Sequence, residues 1–185
     1  TMDGGIGLSP GIKKGMQKRA QKNKSIIMIP NGCDLELFKP NRDPVRSDKT
    51  KLRKQDPRII PGDFIAVFTG AHGIANGLDA VLDAARVIKE KKFNHIKLLF
   101  IGDGKLKPHL LERTLKEELS NCIFLDSMPK NDLAEMMGEV DLGMMILDNI
   151  PAFYYGTSPN KFFDYISMGL PVLINYPGWL ADLIY

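Results

Sequence analysis

The chain has 185 residues, 44% of them hydrophobic and 25% charged, with a net charge of +3. Those are ordinary globular values with room for one sizeable core. No apolar stretch approaches the ~20 residues needed to span a bilayer. Cys33 and Cys122 have no close Cys or His partners, so neither a metal site nor a disulfide framework is indicated, and a reducing, cytoplasmic compartment is expected. The positive excess is concentrated in Lys13, Lys14, Lys18, Arg19, Lys22 and Lys24, with a second cluster of Arg46, Lys49, Lys51, Arg53 and Lys54. No aromatic residue interleaves the first cluster for base stacking, so nucleic acid is not an expected partner. A solvated basic face is the first reading, and peripheral contact with a membrane surface the second.

The N-terminal third is irregular. Ser9-Pro10-Gly11 followed by Ile12 to Ala20 reads as a helix, and Ser25 to Ile29 as a strand closed by Pro30-Asn31-Gly32. Residues 39–63 hold Pro40, Pro44, Pro57, Pro61 and Gly62 among many charges, a linker composition. From residue 64 onward, strand and helix alternate. Phe64 to Thr69 is a strand ending at Gly70. Leu78 to Lys91 places apolar residues at 78, 81, 82, 85 and 88, a helical spacing. Ile96 to Ile101 is a strand closed by Gly102-Asp103-Gly104. Leu106 to Leu119 is a helix with Pro108 in its opening turn. Cys122 to Leu125 is a short strand, and Asn131 is expected to cap a helix running to about Met137. Leu142 to Leu147 is the next strand, with Met144 and Met145 as core. A loop from Asp148 to Asn160 follows; its run Phe153-Tyr154-Tyr155 is either a flap over a ligand or packing. A last helix starts at Ser158-Pro159, stops at Gly169 and Pro171, and leads into the strand Val172 to Ile174. The fold class is therefore α/β, a doubly wound, Rossmann-like parallel sheet with helices on both faces and ligands at the carboxyl ends of its strands.

Three turns should lie on that ligand edge. Gly70 and Gly73, flanking His72, permit close approach of a backbone to phosphate. His72 is either a donor to a diphosphate or a histidine that satisfies a turn. Lys105, beside Gly102-Asp103-Gly104, either neutralises phosphate or is a solvated helix-start lysine. A nicotinamide fingerprint is disfavoured, because its third glycine would fall on Lys107. The helix after Ser158 offers free N–H groups and a positive dipole end, which suit an anion. Lys161 in its first turn opposes that dipole, an arrangement that makes sense if an anion shares the site. Asp164 lies one turn on, near the face of Asn160, where a carboxylate can accept hydrogen bonds from sugar hydroxyls. The alternative is an ordinary capped helix with a solvated Lys and Asp.

In order along residues 25–185, several segments resemble the C-terminal half of GT-B fold glycosyltransferases of the group 1, family 4 type. Ile29 to Pro40 resembles the interdomain signature. Phe68-Thr69-Gly70 with Asn76-Gly77-Leu78-Asp79 resembles the first strand–loop–helix, and Leu99 to Gly104 the second strand end. Ser158 to Tyr165 resembles the donor-site helix of the capsule and O-antigen subgroup. The resemblance implies three parts: residues 1–30 as the end of an N-terminal acceptor domain, 31–63 as an interdomain linker, and 64–185 as a donor-binding domain that stops before its final strand and crossing helix. Thr1 is not expected to be a natural start, so the chain is expected to be an excised piece.

The resemblance implies a retaining transfer from a nucleotide-diphosphate sugar, most often a UDP-sugar, to a saccharide or lipid-linked acceptor in cell-surface polysaccharide synthesis, in the cytoplasm or at the inner face of the membrane. Gly70, His72, Gly73, Lys105, Ser158, Asn160 and Lys161 would meet the donor diphosphate and Asp164 the ribose, with no metal and no cofactor. Two departures stand out. Family members often carry a pair of acids spaced as Gly156 and Asp164 are here; the first is missing. The Arg and Lys that many members place in the first loop are replaced by Ala71, His72 and Asn76, so Lys161, with Lys105 or His72, is expected to substitute. The alternatives are a sugar-nucleotide epimerase, for which His72 is the obvious acid–base candidate, and a non-catalytic binding module.

Overall fold

A computed structural model of the chain describes residues 3–20, 24–40 and 49–184. Lys22, Pro44 and Arg46 of the sequence reading lie outside those residues. Two short parallel strands, β1 (Gly4–Gly7) and β2 (Ser25–Met28), flank helix α1 (Pro10–Arg19). Ser9 caps α1 as its sequence predicts, its hydroxyl accepting from Ile12 N–H, and no residue of α1 is buried. β1 has no counterpart in the sequence reading, since Gly4-Gly5-Ile6-Gly7 carries neither alternation nor β-branched weight.

The main sheet contains β3 (Phe64–Thr69), β4 (Ile96–Ile101), β5 (Cys122–Leu125), β6 (Leu142–Met145) and β7 (Val172–Ile174). All are parallel, in the order β5-β4-β3-β6-β7. Strict alternation along β3 divides the core. Ile65 and Val67 join a cluster with Phe38, Leu52, Ile59, Met137 and Tyr165 on one face. Ala66 and Phe68 join Leu82, Phe100 and Leu110 on the other. A period of two that is apolar on both sides forces helices onto both faces. These are α3 (Asp79–Glu90) and α4 (Lys107–Lys116) on one face, and α5 (Lys130–Met137) with α7 (Asn160–Ser167) on the other.

The structure corrects four local expectations. The linker composition of residues 39–63 hides helix α2 (Thr50–Gln55), and Phe38, Leu52 and Ile59 are fully buried in the core. A buried pair anchors this segment: Lys49, 2% exposed, donates to the Glu139 carbonyl at 2.6 Å and to Asp141 Oδ2 at 2.7 Å. Charge density masked a segment in which Leu52 and Ile59 point inward while Ile60 is exposed. The 148–160 loop contains α6 (Pro151–Gly156), begun by a proline in its first turn, and α8 (Trp179–Ile184) follows β7. Asn131 does not cap α5, because the helix starts one residue earlier, after Pro129. Ser158 does not cap α7 either: Pro159 occupies the cap position and no side chain bonds the first turn.

Candidate functional site

The order of the sheet reverses between β3 and β6, since β4 lies on one side of β3 and β6 on the other. Crevices open at the carboxyl ends of strands at such a switch point. At this switch point α7 brings its first turn against the end of β3.

Two loops form one wall. Gly70 N–H donates to the Ile101 carbonyl at 2.9 Å, His72 N–H to the Asp103 carbonyl at 2.8 Å, and Leu106 N–H to the His72 carbonyl at 2.9 Å. The loops after β3 and β4 are therefore zipped together by backbone bonds. Gly102 makes this possible: its φ is +146°, and a methyl group there would lie 2.0 Å from the Gly70 carbonyl oxygen. The glycines of Gly102-Asp103-Gly104 thus serve loop-to-loop contact, whereas a methyl group at Gly73 would meet only Asn76 Nδ2, at 4.0 Å.

Lys161 lies at the end of β3. Its Nζ sits 3.6 Å from the centroid of the Phe68 ring. Its Cε and Nζ lie beside Gly70, 3.5 Å from where a methyl group on that residue would sit. Among the described residues the ammonium has no hydrogen bond or ion pair; the ring face is its one favourable contact. Burial pulls its pKa down from 10.5 to about 7. A cation kept out of water without a counter-charge is costly. Asp164, on the same helix, is half-buried, and burial raises its pKa, with Lys130 opposing. Gly70, Lys161 and the uncapped start of α7 are thus brought together, with Asn160 exposed at that start.

Other expected residues are placed differently. His72 is wholly buried, its ring among Phe68, Phe100 and Phe124 at centroid distances of 6.0, 6.3 and 6.0 Å. Both ring nitrogens lack partners, and burial, reinforced by Lys107, lowers its pKa to about 4. A neutral, inward-facing imidazole does not reach a diphosphate, so the donor role expected of it is corrected, and with it the acid–base role of the epimerase reading. Lys105 is exposed, while its neighbour Lys107 is buried. Lys107 Nζ donates to the carbonyls of Gly102 at 2.9 Å and Leu125 at 3.2 Å and to Asp126 at 2.6 Å, which ties the ends of β4 and β5 together. Ser158 Oγ accepts from Asn31 N–H at 3.0 Å, and Asn31 Nδ2 donates to the Ser158 carbonyl at 2.5 Å. Its hydroxyl thus positions the head of α7. Of the aromatic run, Phe153 and Tyr154 pack against Met145, Phe162 and Trp179, while Tyr155 is exposed. Packing accounts for two of the three.

Among the described residues no group of three His, Cys, Asp or Glu stands close enough to hold a metal, and no helix is long and apolar enough to cross a membrane. An open parallel sheet with helices on both faces and a strand-order switch between β3 and β6 define a Rossmann-like α/β domain.

Comparison with known proteins gives the family. Residues 63–184 match the sequence profile of the Glycosyl transferases group 1, and the chain belongs to that family. It is similar to EpsF of Bacillus subtilis (strain 168), a protein designated a glycosyltransferase, at 28% identity over 155 residues, which is 83% of this chain and 37% of EpsF. The fold matches the structure of Anabaena HepE in complex with UDP and glucose, with a TM-score of 0.73 and 19% identity over 97% of this chain and 46% of HepE. It also matches WaaG, a glycosyltransferase involved in lipopolysaccharide biosynthesis, with a TM-score of 0.70 and 20% identity over 97% of this chain and 46% of WaaG. The chain thus spans less than half the length of these relatives.

Proposed function

We propose that this chain is the donor half of a retaining glycosyltransferase and that its crevice holds the diphosphate of a UDP-sugar. The observation that carries the reading is the unpaired ammonium of Lys161 between Phe68 and Gly70. N–H groups at the head of α7 and the open face of Gly73 complete a cradle for the two phosphates. Lys161 would stabilise charge that develops on the leaving diphosphate, so no metal is required for that task. Asp164 would hold the ribose. The acceptor site is assigned to parts of the full-length protein outside this sequence, and the reaction to the cytoplasmic face of a membrane, where Lys13, Lys14, Lys18 and Arg19 would meet anionic lipid. Isothermal titration of the 185-residue chain with UDP, GDP and ADP tests the reading, and failure of all three to bind rejects it. The chain alone is expected to transfer no sugar; turnover of a donor onto any acceptor would contradict the assignment of the acceptor site elsewhere.

The pH dependence has a defined sign. With Lys161 at about 7 in the folded state and near 10.5 when unfolded, the unfolded chain holds more protons in that window. Stability of the ligand-free protein is therefore expected to rise with pH from about 7 to 10.5. A bound anion favours the ammonium instead, so UDP affinity should fall above pH 7 by up to roughly tenfold per pH unit. The terminal phosphate of UDP loses its last proton near a pKa of about 6, so the probe's own charge is nearly constant from about pH 7 to 9. Titrations across that range check the effect, and a flat profile removes Lys161 from the site. Asp164→Asn is expected to weaken UDP binding less than loss of Lys161 does, since an amide oxygen still accepts a hydrogen bond. Equal or greater loss would move the ribose contact into the centre of the affinity.

A further inference from the structure

The pairing of β3 with β6 is short. Its registered pairs are Ala66 with Leu142 and Val67 with Gly143, and none is formed at Thr69. The Thr69 N–H on that side would be a buried orphan donor at the rim of the crevice. It donates instead to the hydroxyl of Tyr165 at 2.9 Å, and Thr69 Oγ1 lies 3.1 Å from the same oxygen. Tyr165 comes from the middle of α7 and is wholly buried. Its ring crosses the sheet where β6 has no side chain: a methyl group on Gly143 would lie 2.4 Å from Tyr165 Cγ. The tyrosine therefore fills the split between β3 and β6, and its hydroxyl stands in for the missing strand partner. Burial raises its pKa, so the phenol stays neutral.

The same bond locates α7. Lys161 is one helical turn before Tyr165 on the same face, and Thr69 lies between Phe68 and Gly70, the two residues beside the Lys161 ammonium. At its head α7 is held by Asn31 through Ser158; along its length it is held by Thr69. We propose that Tyr165 is a positioning residue of the diphosphate site, its hydroxyl locking α7 to the end of β3 so that Lys161 is held over Phe68 and beside Gly70. The proposal rests on the donor-site reading for what Lys161 binds, but the geometry of the lock does not depend on it. His72 on the β3 loop, kept neutral by burial, is the titratable group on which the ammonium acts, and among the described residues no carboxylate offsets the cation.

Tyr165→Phe keeps the ring across Gly143 and removes the hydroxyl. Loss of a neutral hydrogen bond predicts a fall in UDP affinity of roughly threefold to tenfold. In a Lys161→Ala background the same change should have no further effect on affinity, because the group it positions is gone. Equal losses in both backgrounds, or no loss in the first, would overturn the proposal. A readout without ligand runs beside it. The Lys161 ¹³Cε resonance of the wild type should titrate near 7, and in Tyr165→Phe its midpoint should climb toward the ordinary lysine value as the ammonium leaves its seat. An unchanged midpoint overturns the proposal even if affinity falls. If the wild type binds none of the nucleotides yet the midpoint moves, the donor-site reading fails and the positioning role stands. Should Tyr165→Phe fail to fold, Thr69→Val removes one partner of the hydroxyl and is expected to shift the same midpoint by less; no shift there decides against the lock.

Discussion

Replacing Lys161 with alanine is expected to weaken UDP binding by roughly tenfold to a hundredfold, with the fold unchanged. The magnitude is that of one charge-assisted hydrogen bond in a partly buried site, about 1.5–3 kcal/mol. The fold should survive because the ammonium contributes little to it: among the described residues it has no hydrogen bond or ion pair, and its contact is with one ring face. Removing a cation that sits buried without a counter-charge relieves a desolvation cost, so the melting temperature should hold or rise. Calorimetric titration with UDP, paired with thermal melts of both proteins, separates the outcomes. Unchanged affinity would mean that α7 is an ordinary helix whose lysine merely shelters on Phe68. A lowered melting temperature would mean that the contact with Phe68 is structural first.

Gly102→Ala should have the largest effect on the protein itself. Two costs combine there. A φ of +146° is a conformation that side chains rarely adopt, and the new methyl group would press on the Gly70 carbonyl at 2.0 Å. Strain of about 1–3 kcal/mol and overpacking of about 1–3 kcal/mol together predict a loss of about 2–6 kcal/mol. The clash falls on backbone, which cannot swing away like a long side chain, so the loops after β3 and β4 must part. UDP binding should fall along with stability, since Gly70 forms the side of the crevice next to Lys161. Gly73→Ala is the control. A methyl group added there would meet nothing closer than Asn76 Nδ2 at 4.0 Å. Its substitution should change stability by less than about 0.5 kcal/mol. If phosphate packs on its open face, affinity will fall nonetheless. Denaturant melts of both variants decide the matter, and equal stability of the two would show that the loop contact is soft.

These two glycines show how a site can be legible in type and not in detail. The sequence marks both as turn residues after strands, and both lie at the carboxyl edge of the sheet as expected. Their roles differ because one faces another loop and the other faces solvent, and that depends on a segment about thirty residues away. The same holds for the lysines. Lys105, Lys107 and Lys161 all read as cations near strand ends. Lys107 is consumed by Gly102, Leu125 and Asp126, Lys105 is solvated, and Lys161 is part-buried and, among the described residues, has no hydrogen bond or ion pair. The local signal available for Lys107 was its helical phase: it is buried on α4 together with Leu110.

The central strands of the sheet were readable because burial on both faces writes itself into composition; β7, at the sheet edge, is part-exposed, Leu173 being 50% exposed. Phe64–Thr69, Ile96–Ile101, Cys122–Leu125 and Val172–Ile174 have the bounds that their apolar runs define, and the parallel order follows from helices between them. The short helices α2, α6 and α8 were not readable. Six residues make too few turns for a periodicity, and their stability comes from docking on the core rather than from their own propensity. Sequence by itself thus determined the α/β class, the ligand edge, the family resemblance and the helix that carries Lys161 and Asp164. Only the tertiary structure decided that His72 turns inward, that Ser158 serves Asn31 across 127 residues, and that Tyr165 completes the end of β3. The reason is physical: periodicity and composition record how much of a side chain is buried, whereas the identity of a polar partner depends on which distant segment the chain brings alongside.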